Sequence, residues 1–285
     1  MKIAVLGSQG QLGRDLVPRL PGTVLPLTRA DIDLARPETI APALATHRPD
    51  VLVNCAAYNF VDQAESEPNA AMAVNAWGVR NLAKACTAID CKLVHFSTDY
   101  VFGLESRTEP LTETDAPGPV GVYGISKLAG EYAVRASSPK HLVIRTCGLY
   151  GVWGSGGKGG NFVETMLKLA GEKKPLSVVN DQFCTPSYTA DVAAATVELI
   201  GLNRSGLFHV TNAGFCTWFE FAAEIFRLAG VAADLSATTS EQFKRPAKRP
   251  PFSVMSLEKL VASGVTSPRP WREALAAYLD ERKRK

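Results

Sequence analysis

Histidine is scarce, 4 residues in 285, and His47, His95, His141 and His209 are scattered without zinc-ligand spacing. That excludes a ready-made histidine metal centre, and no metal is expected. The 6 cysteines, at 55, 86, 91, 147, 184 and 216, contain no C-x-x-C pair. A zinc ribbon or dithiol redox motif is thereby excluded, and reduced, mostly buried thiols are expected. No apolar run approaches the roughly 20 residues of a membrane span. Met1 leads straight into a strand-like run, so no signal peptide is expected and the location reads as cytoplasmic. Nor is there an excess of one charge. The 31 Lys and Arg stand against 28 Asp and Glu, net +3, too little to argue for nucleic acid as a partner. The one basic run, Arg282–Lys285, suits the solvated end of a helix. There is no internal repeat.

What is present is a regular alternation. Strand-like segments at Lys2–Leu6, Thr23–Arg29, Asp50–Ala57, Lys92–Thr98 and His141–Cys147 are separated by helical patterns, including Glu38–Ala45, Pro68–Ile89 and Tyr123–Arg135. Alternation of this kind predicts an α/β fold, a Rossmann-type doubly wound parallel sheet. Residues 1–150 read as its nucleotide-binding domain. Residues 151–285 read as a smaller C-terminal lobe, intertwined with the first, its helix at 190–202 packing on the Rossmann part. Strands of the lobe are expected at Ser177–Asn180 and Leu207–Thr211. Helices are expected from Asn161 to Gly171 and from Thr217, in a capping-box sequence, to Gly230.

The first strand runs into Gly7-x-x-Gly10-x-x-Gly13. Gly7 and Gly10 allow a sharp turn and close approach to a pyrophosphate, and Gly13 lets the helix sit against the strand. Taken alone the pattern also fits a glycine-rich turn with no ligand. Tyr123 and Lys127, four residues apart, share a helix face. A phenol of pKa about 10 needs a neighbouring cation to work as an acid–base at neutral pH, and Lys127 is the expected cation. Thr98 ends the fourth strand on the sheet edge where the glycine loop opens. Its hydroxyl could bind the substrate oxygen that Tyr123 protonates.

Together with Gly10-Gln-Leu-Gly13, Val53-Asn-Cys-Ala-Ala57, Val61-Asp62, Ser97-Thr-Asp-Tyr-Val-Phe102, Gly130-Glu131, Gly160-Asn-Phe162 and Val179-Asn-Asp-Gln182 with Pro186, these residues resemble an extended short-chain dehydrogenase/reductase. Within that group the resemblance is to the dTDP-4-dehydrorhamnose reductase family. It implies NAD(P)H-dependent reduction of the 4-keto group of a dTDP-linked 6-deoxyhexose. Tyr123, Lys127 and Thr98 are then the catalytic residues, with Lys127 also holding the nicotinamide ribose. Gly7, Gly10, Gln11, Leu12, Gly13, Asp33, Ala56, Ala57, Tyr58 and Asn59 would contact the cofactor, beside Tyr123 and Lys127. Thr98, Asp99, Tyr100, Trp153 and Asn161 would contact the sugar nucleotide. Asn75 is expected either to support the sheet edge or to play a polar role inside its helix.

Arg29, at the end of the second strand where an acid would bind a ribose 2′-hydroxyl, suits a phosphate instead and predicts NADPH over NADH. The family commonly has R-T-S-W where this chain has Arg145-Thr-Cys-Gly148. Trp153 could stand in for the missing Trp, or the sugar pocket is built differently. The glycine-rich run at Gly154–Gly160 reads equally as a lid or a mobile loop. Two alternatives stay open: a reductase of another 4-keto sugar nucleotide, and a non-catalytic NADP-binding regulator like the methionine adenosyltransferase β subunit. A homodimer is compatible with the resemblance. Glu273, Asp280 and Glu281 lie where some relatives hold Mg²⁺, but they read more simply as solvated helix charges.

Overall fold

The first strand, β1 (Lys2–Leu6), lies deep in a six-stranded sheet because both of its faces are apolar. Ile3 and Val5 enter one core cluster, and Ala4 and Leu6 enter the one on the opposite face, as alternation along a strand demands. The other strands are β2 (Thr23–Leu27), β3 (Val51–Asn54), β4 (Lys92–Thr98), β5 (His141–Thr146) and β6 (Gly206–His209). Their order is β6-β5-β4-β3-β1-β2, all neighbours parallel. All seven residues of β4 are buried, as expected of a strand covered by helices on both sides. This computed structural model describes residues 1–105, 107–137, 140–154 and 160–285.

Helices α1 (Gln11–Leu16), α2 (Val79–Ala88), α3 (Val122–Ser137), α4 (Phe162–Gly171), α5 (Thr189–Gly201), α6 (Trp218–Ala229) and α7 (Trp271–Arg284) are the principal ones. Leu12 and Leu16 of α1 join Val192 and Leu199 of α5 on one face of the sheet. Val79, Leu82 and Cys86 of α2 and Val134 of α3 cover the other. From β1 the chain steps outward to β2, then returns to β3 on β1's other side. That reversal opens a crevice beyond the strands' C-terminal ends, the place where open α/β sheets bind ligands.

After residue 150 the chain builds a lobe around Tyr150, Tyr188, Phe221, Trp271 and Tyr278. Tyr150 and Tyr188 stack with centroids 5.8 Å apart, and Tyr278 meets Tyr150 edge-on at 5.2 Å. A parallel strand pair, Leu176–Val179 with Leu235–Thr238, faces these aromatics. The strand expected at Leu207–Thr211 is the sixth strand of the main sheet, paired with β5 from Gly206 to His209. Beyond residue 150 the chain therefore returns to the sheet at α5 and β6 and again at Leu260 and Val265 before closing in the lobe. Helix α6 carries the anticipated capping box at Thr217 and Glu220 and ends at Gly230 in the left-handed conformation.

One expected element differs in kind. The stretch Pro68–Ile89 is α-helical at Pro68–Met72 and Val79–Ala88, but Ala73–Gly78 between them is a π-helix. Two glycines make this packing possible. A Cβ on Gly78 would collide with the Leu34 carbonyl, and one on Gly130 of α3 with the Asn75 carbonyl. Local periodicity does not reveal such a bulge, which is rare inside helices and frequent at functional sites.

Helix α3 is bound to the sheet by a charge pair sealed from water. Arg145 of β5 donates Nε and Nη2 to the Glu131 carboxylate at 2.9 and 2.7 Å, with 2% and 0% of the two side chains exposed. Glu131→Ala would strand the Arg145 guanidinium. Urea unfolding is expected to show a loss of about 3–5 kcal/mol; a loss below about 1 kcal/mol would mean that water reaches the arginine.

Candidate active site

The glycine loop fills the crevice between β1 and β3. Gly7, at φ +76°, lies so close to the loop after β3 that a Cβ would stand 2.9 Å from the Ala56 nitrogen, and a Cβ on Gly13 would collide with the Gly7 carbonyl. Glycine is thus required at both positions. The Gly7 N–H and the Ser8 hydroxyl donate to the Leu27 carbonyl, tying the loop to β2. Gly10 precedes α1 as its N-cap, and Leu12 is buried in the core. Gln11 donates Nε2 to the Leu149 carbonyl at 3.2 Å, while its buried Oε1 lacks a partner. A narrow backbone cradle with an unsatisfied polar atom fits a phosphate-bearing ligand with hydroxyl groups.

At the end of β2, Arg29 is 82% exposed and pairs with Asp33 at 3.1 Å, while Arg36 reaches the same carboxylate at 3.6 Å. Burial pushes the Asp33 carboxyl up, but its hydrogen bonds to Ala35 and Arg29 and the charges of Arg29 and Arg36 together hold it below the usual range. Asp33 therefore serves as counter-ion to two arginines, and the cationic edge suits a further phosphate. Across the crevice, Asn54 accepts the Ala56 N–H at 3.0 Å, and its Nδ2 stands 3.1 Å from His95 Nδ1. Asn75, on the π-helix, accepts the Tyr58 N–H and donates to the Tyr58 carbonyl, both at 2.9 Å. It also donates to Ser126 of α3 at 3.0 Å. Asn75 thus ties the loop after β3 to α3, and Asn59 on that loop is exposed.

Thr98, Tyr123 and Lys127 come together beside this crevice. The Thr98 hydroxyl donates to Asp99 at 3.1 Å and accepts the Tyr100 N–H at 3.2 Å. It also lies close enough to the Tyr123 phenol to act on its acidity. Tyr100 meets Tyr123 edge-on at 5.8 Å. Burial drives the Tyr123 phenol upward, opposed by the Thr98 contact and reinforced by the Asp99 charge. Lys127 was expected to lower it and does not. The ammonium turns inward and donates to the Phe96 carbonyl at 2.6 Å. Burial brings Lys127 itself down to about 8, against the attraction of Glu131 one turn along the helix.

Three residues expected at the sugar stand otherwise. Asp99, 3% exposed, points inward and accepts from Ser253 at 2.6 Å and Cys147 at 3.0 Å. Burial raises its carboxyl. The Trp153 indole donates to Asp15 of α1 at 3.1 Å, beneath the Lys285 ammonium. It belongs to the junction of α1 with the chain's C-terminal end, because Asp15 offers its N–H a buried acceptor. Asn161 caps α4, accepting from Glu164 and donating to Gly151, each at 3.0 Å. Of the expected lid, residues 155–159 lie outside the described ones. Glu281 pairs with Tyr188 and Lys285, and among the described residues no group of three ligands could hold a metal.

A cavity of about 980 Å³ lies between sheet edge and lobe, with Tyr100 on its wall. Phe162, Trp218 and Phe243 line it, and Lys244, Arg245, Lys248 and Arg249 supply cations. A Cβ on Gly148, at φ +51°, would stand 3.3 Å from the Trp218 ring, so the glycine leaves room for an indole from α6. Sequence reasoning missed Trp218, Arg36 and the basic segment's place on the cavity. The clustering of four cations within Lys244–Arg249 was the available signal.

A family model described as RmlD substrate binding domain matches residues 1–284. The chain is 41% identical over 279 residues to the dTDP-4-dehydrorhamnose reductase of Mycolicibacterium smegmatis, covering 96% of this chain and 84% of that one. The structure of a dTDP-4-dehydrorhamnose reductase from Clostridium acetobutylicum matches with TM-score 0.94 and 39% identity, over 99% of this chain and 100% of that one. That of the Bacillus anthracis reductase in complex with NADP matches with TM-score 0.92 and 36% identity, covering 98% and 99%.

Asn75 is 1% exposed, and Asn75→Ala would leave both Tyr58 backbone groups without their partner, at about 1–3 kcal/mol each. Amide exchange across residues 56–60 is expected to accelerate more than tenfold while β3 and β4 stay protected. Unchanged exchange there would show that Asn75 does not hold the loop.

Proposed function

Because the chain belongs to the RmlD substrate binding domain family, we propose that it is an NADPH-dependent oxidoreductase that reduces the 4-keto group of a dTDP-linked 6-deoxyhexose. The reaction converts dTDP-4-dehydro-L-rhamnose to dTDP-L-rhamnose, in keeping with the named activity of its relatives and the NADP found in one of them. The observation that carries this reading is the meeting of Thr98 and Tyr123 at a sheet edge shared with the glycine loop and Lys127.

NADPH, when bound, supplies the hydride. Its pyrophosphate would lie on the Gly7–Gly13 backbone, with Arg29 and Arg36 toward a 2′-phosphate. Ala56, Ala57, Tyr58 and Asn59 would form the opposite wall. Tyr123 donates its phenolic proton to the substrate oxygen while the carbonyl carbon accepts the hydride. At neutral pH that phenol carries its proton, the state a proton donor requires, although burial makes it a weaker acid than a free tyrosine. Thr98 gives its one hydroxyl proton to Asp99, so to align the substrate oxygen beside Tyr123 it would turn that proton from the carboxylate to the ligand. Lys127, still charged below about pH 8, keeps two ammonium protons besides the one given to Phe96, and with these it would hold ribose hydroxyls. The cavity's aromatic wall and basic rim would receive the nucleoside diphosphate.

No helix among the described residues is long and apolar enough to cross a membrane, and the six free cysteines suit a reducing compartment. Cytoplasmic action is therefore part of the proposal. Exposed Trp77, Ile125 and Tyr132 on neighbouring helices support a homodimer.

Purified protein is expected to oxidise NADPH only when dTDP-4-dehydro-L-rhamnose is present. Tyr123→Phe should cut kcat by at least about a thousandfold, with NADPH affinity within about threefold of the parent. For the parent, kcat/KM should fall as pH rises through about 8, because Lys127 then loses its proton. NADPH binding without any turnover would favour a regulatory protein instead.

A further inference from the structure

The segment Lys244–Arg249 places four cations on the cavity within six residues. Its stiffness comes from Pro246, Pro250 and Pro251, whose rings fix the backbone. Its far end is tied to the lobe, where Pro251 accepts the Phe183 N–H at 2.8 Å, and its middle is tied to a carboxylate outside the lobe. Asp62 pairs with Arg249 at 3.1 Å and with Arg245 at 3.8 Å, and accepts the Ala247 N–H at 3.3 Å. Asp62 sits on the short helix Val61–Ser66, directly after the loop proposed to hold the cofactor. On the same helix, Glu65 accepts the N–H of Val122 at 2.8 Å, at the start of the helix carrying Tyr123. The Arg249 charge also acts on Tyr100, whose ring meets Tyr123 edge-on.

We propose that Asp62 is a positioning residue for the sugar nucleotide: it pins the basic segment so that the diphosphate grip stands at a set distance from Tyr123. The proposal rests on the reductase reading for its ligand. Two effects oppose each other when the carboxylate is removed. Losing a negative charge beside the rim favours an anionic ligand, but solvent still reaches this partly buried pair, Arg249 19% and Asp62 30% exposed, and screens that gain. Freeing the segment lowers the fraction of molecules in the binding-competent arrangement, and apparent affinity falls in the same proportion. Three contacts converge on one carboxylate, so the second effect is the larger.

The test is calorimetric titration of the full chain with dTDP and, separately, with NADPH, for the parent, Asp62→Asn and Asp62→Glu. Asparagine keeps the shape and an acceptor for the Ala247 N–H, and thermal unfolding checks that the variants fold. Asp62→Asn is expected to bind dTDP about tenfold more weakly and NADPH within twofold of the parent. In turnover its KM for the sugar nucleotide should rise more than its kcat falls, and Asp62→Glu should restore most of the loss. Unchanged or tighter dTDP binding would overturn the proposal, as would an equal loss for both ligands. A parent that binds dTDP yet never reduces the keto sugar would count against the reductase reading and leave this comparison of affinities standing.

Discussion

Helix α3 is held to the sheet by charges with no access to water, and the candidate active site depends on that attachment. Lys127 reaches the Phe96 carbonyl of β4, and Glu131, one turn later, grips Arg145 of β5. Both contacts are buried, so a sliding or rotated helix would leave an ion unsolvated, which the interior does not tolerate. Tyr123 lies one turn before Lys127, and its distance from Thr98 at the end of β4 is set accordingly. Gly130, where a side chain would strike the Asn75 carbonyl, brings the same helix against the π-helix that supports the cofactor loop.

A second organising point is Asp99. It collects hydrogen bonds from Thr98 beside it, Cys147 after β5 and Ser253 beyond the basic segment. One carboxylate thus joins two strand ends of the sheet to the lobe. Asp62 makes a comparable connection farther out. Around the cavity the lobe meets the sheet through these polar contacts and through the apolar cluster of Val101, Phe102, Cys147, Cys184 and Met255, so the position of a ligand there is linked to the position of Tyr123.

Much of this was legible in the sequence because it rests on local rules. Gly7, Gly10 and Gly13 mark a strand-to-helix turn, Tyr123 and Lys127 fall four apart on one helix, and Thr98 ends an apolar strand. The fold class follows from alternating segments, and the comparisons bear it out along with the family and cofactor. What was not legible depends on partners distant in the chain. The π-helix at Ala73–Gly78 packs against Leu34 and α3, neighbours that local periodicity does not name. Trp153 was expected near the sugar, but Asp15 offers its indole N–H a buried acceptor. Lys127 was expected to act on Tyr123, but a carbonyl of the neighbouring strand lies within its reach. Gly148 pointed to a changed pocket, though nothing in the local sequence named Trp218 as its neighbour.

The central claim is that the glycine-loop crevice and the Thr98–Tyr123–Lys127 group form one site that delivers hydride to a sugar carbonyl. Isotope transfer tests it most directly. NADPH deuterated on one or the other face of nicotinamide C4 is supplied with dTDP-4-dehydro-L-rhamnose, and the product is read by mass spectrometry and NMR. One of the two labels should appear as a single deuterium on C4 of the rhamnose, and the other should remain in NADP. Reduced sugar without deuterium at C4 from either label, or no reduced sugar at all, would contradict the account.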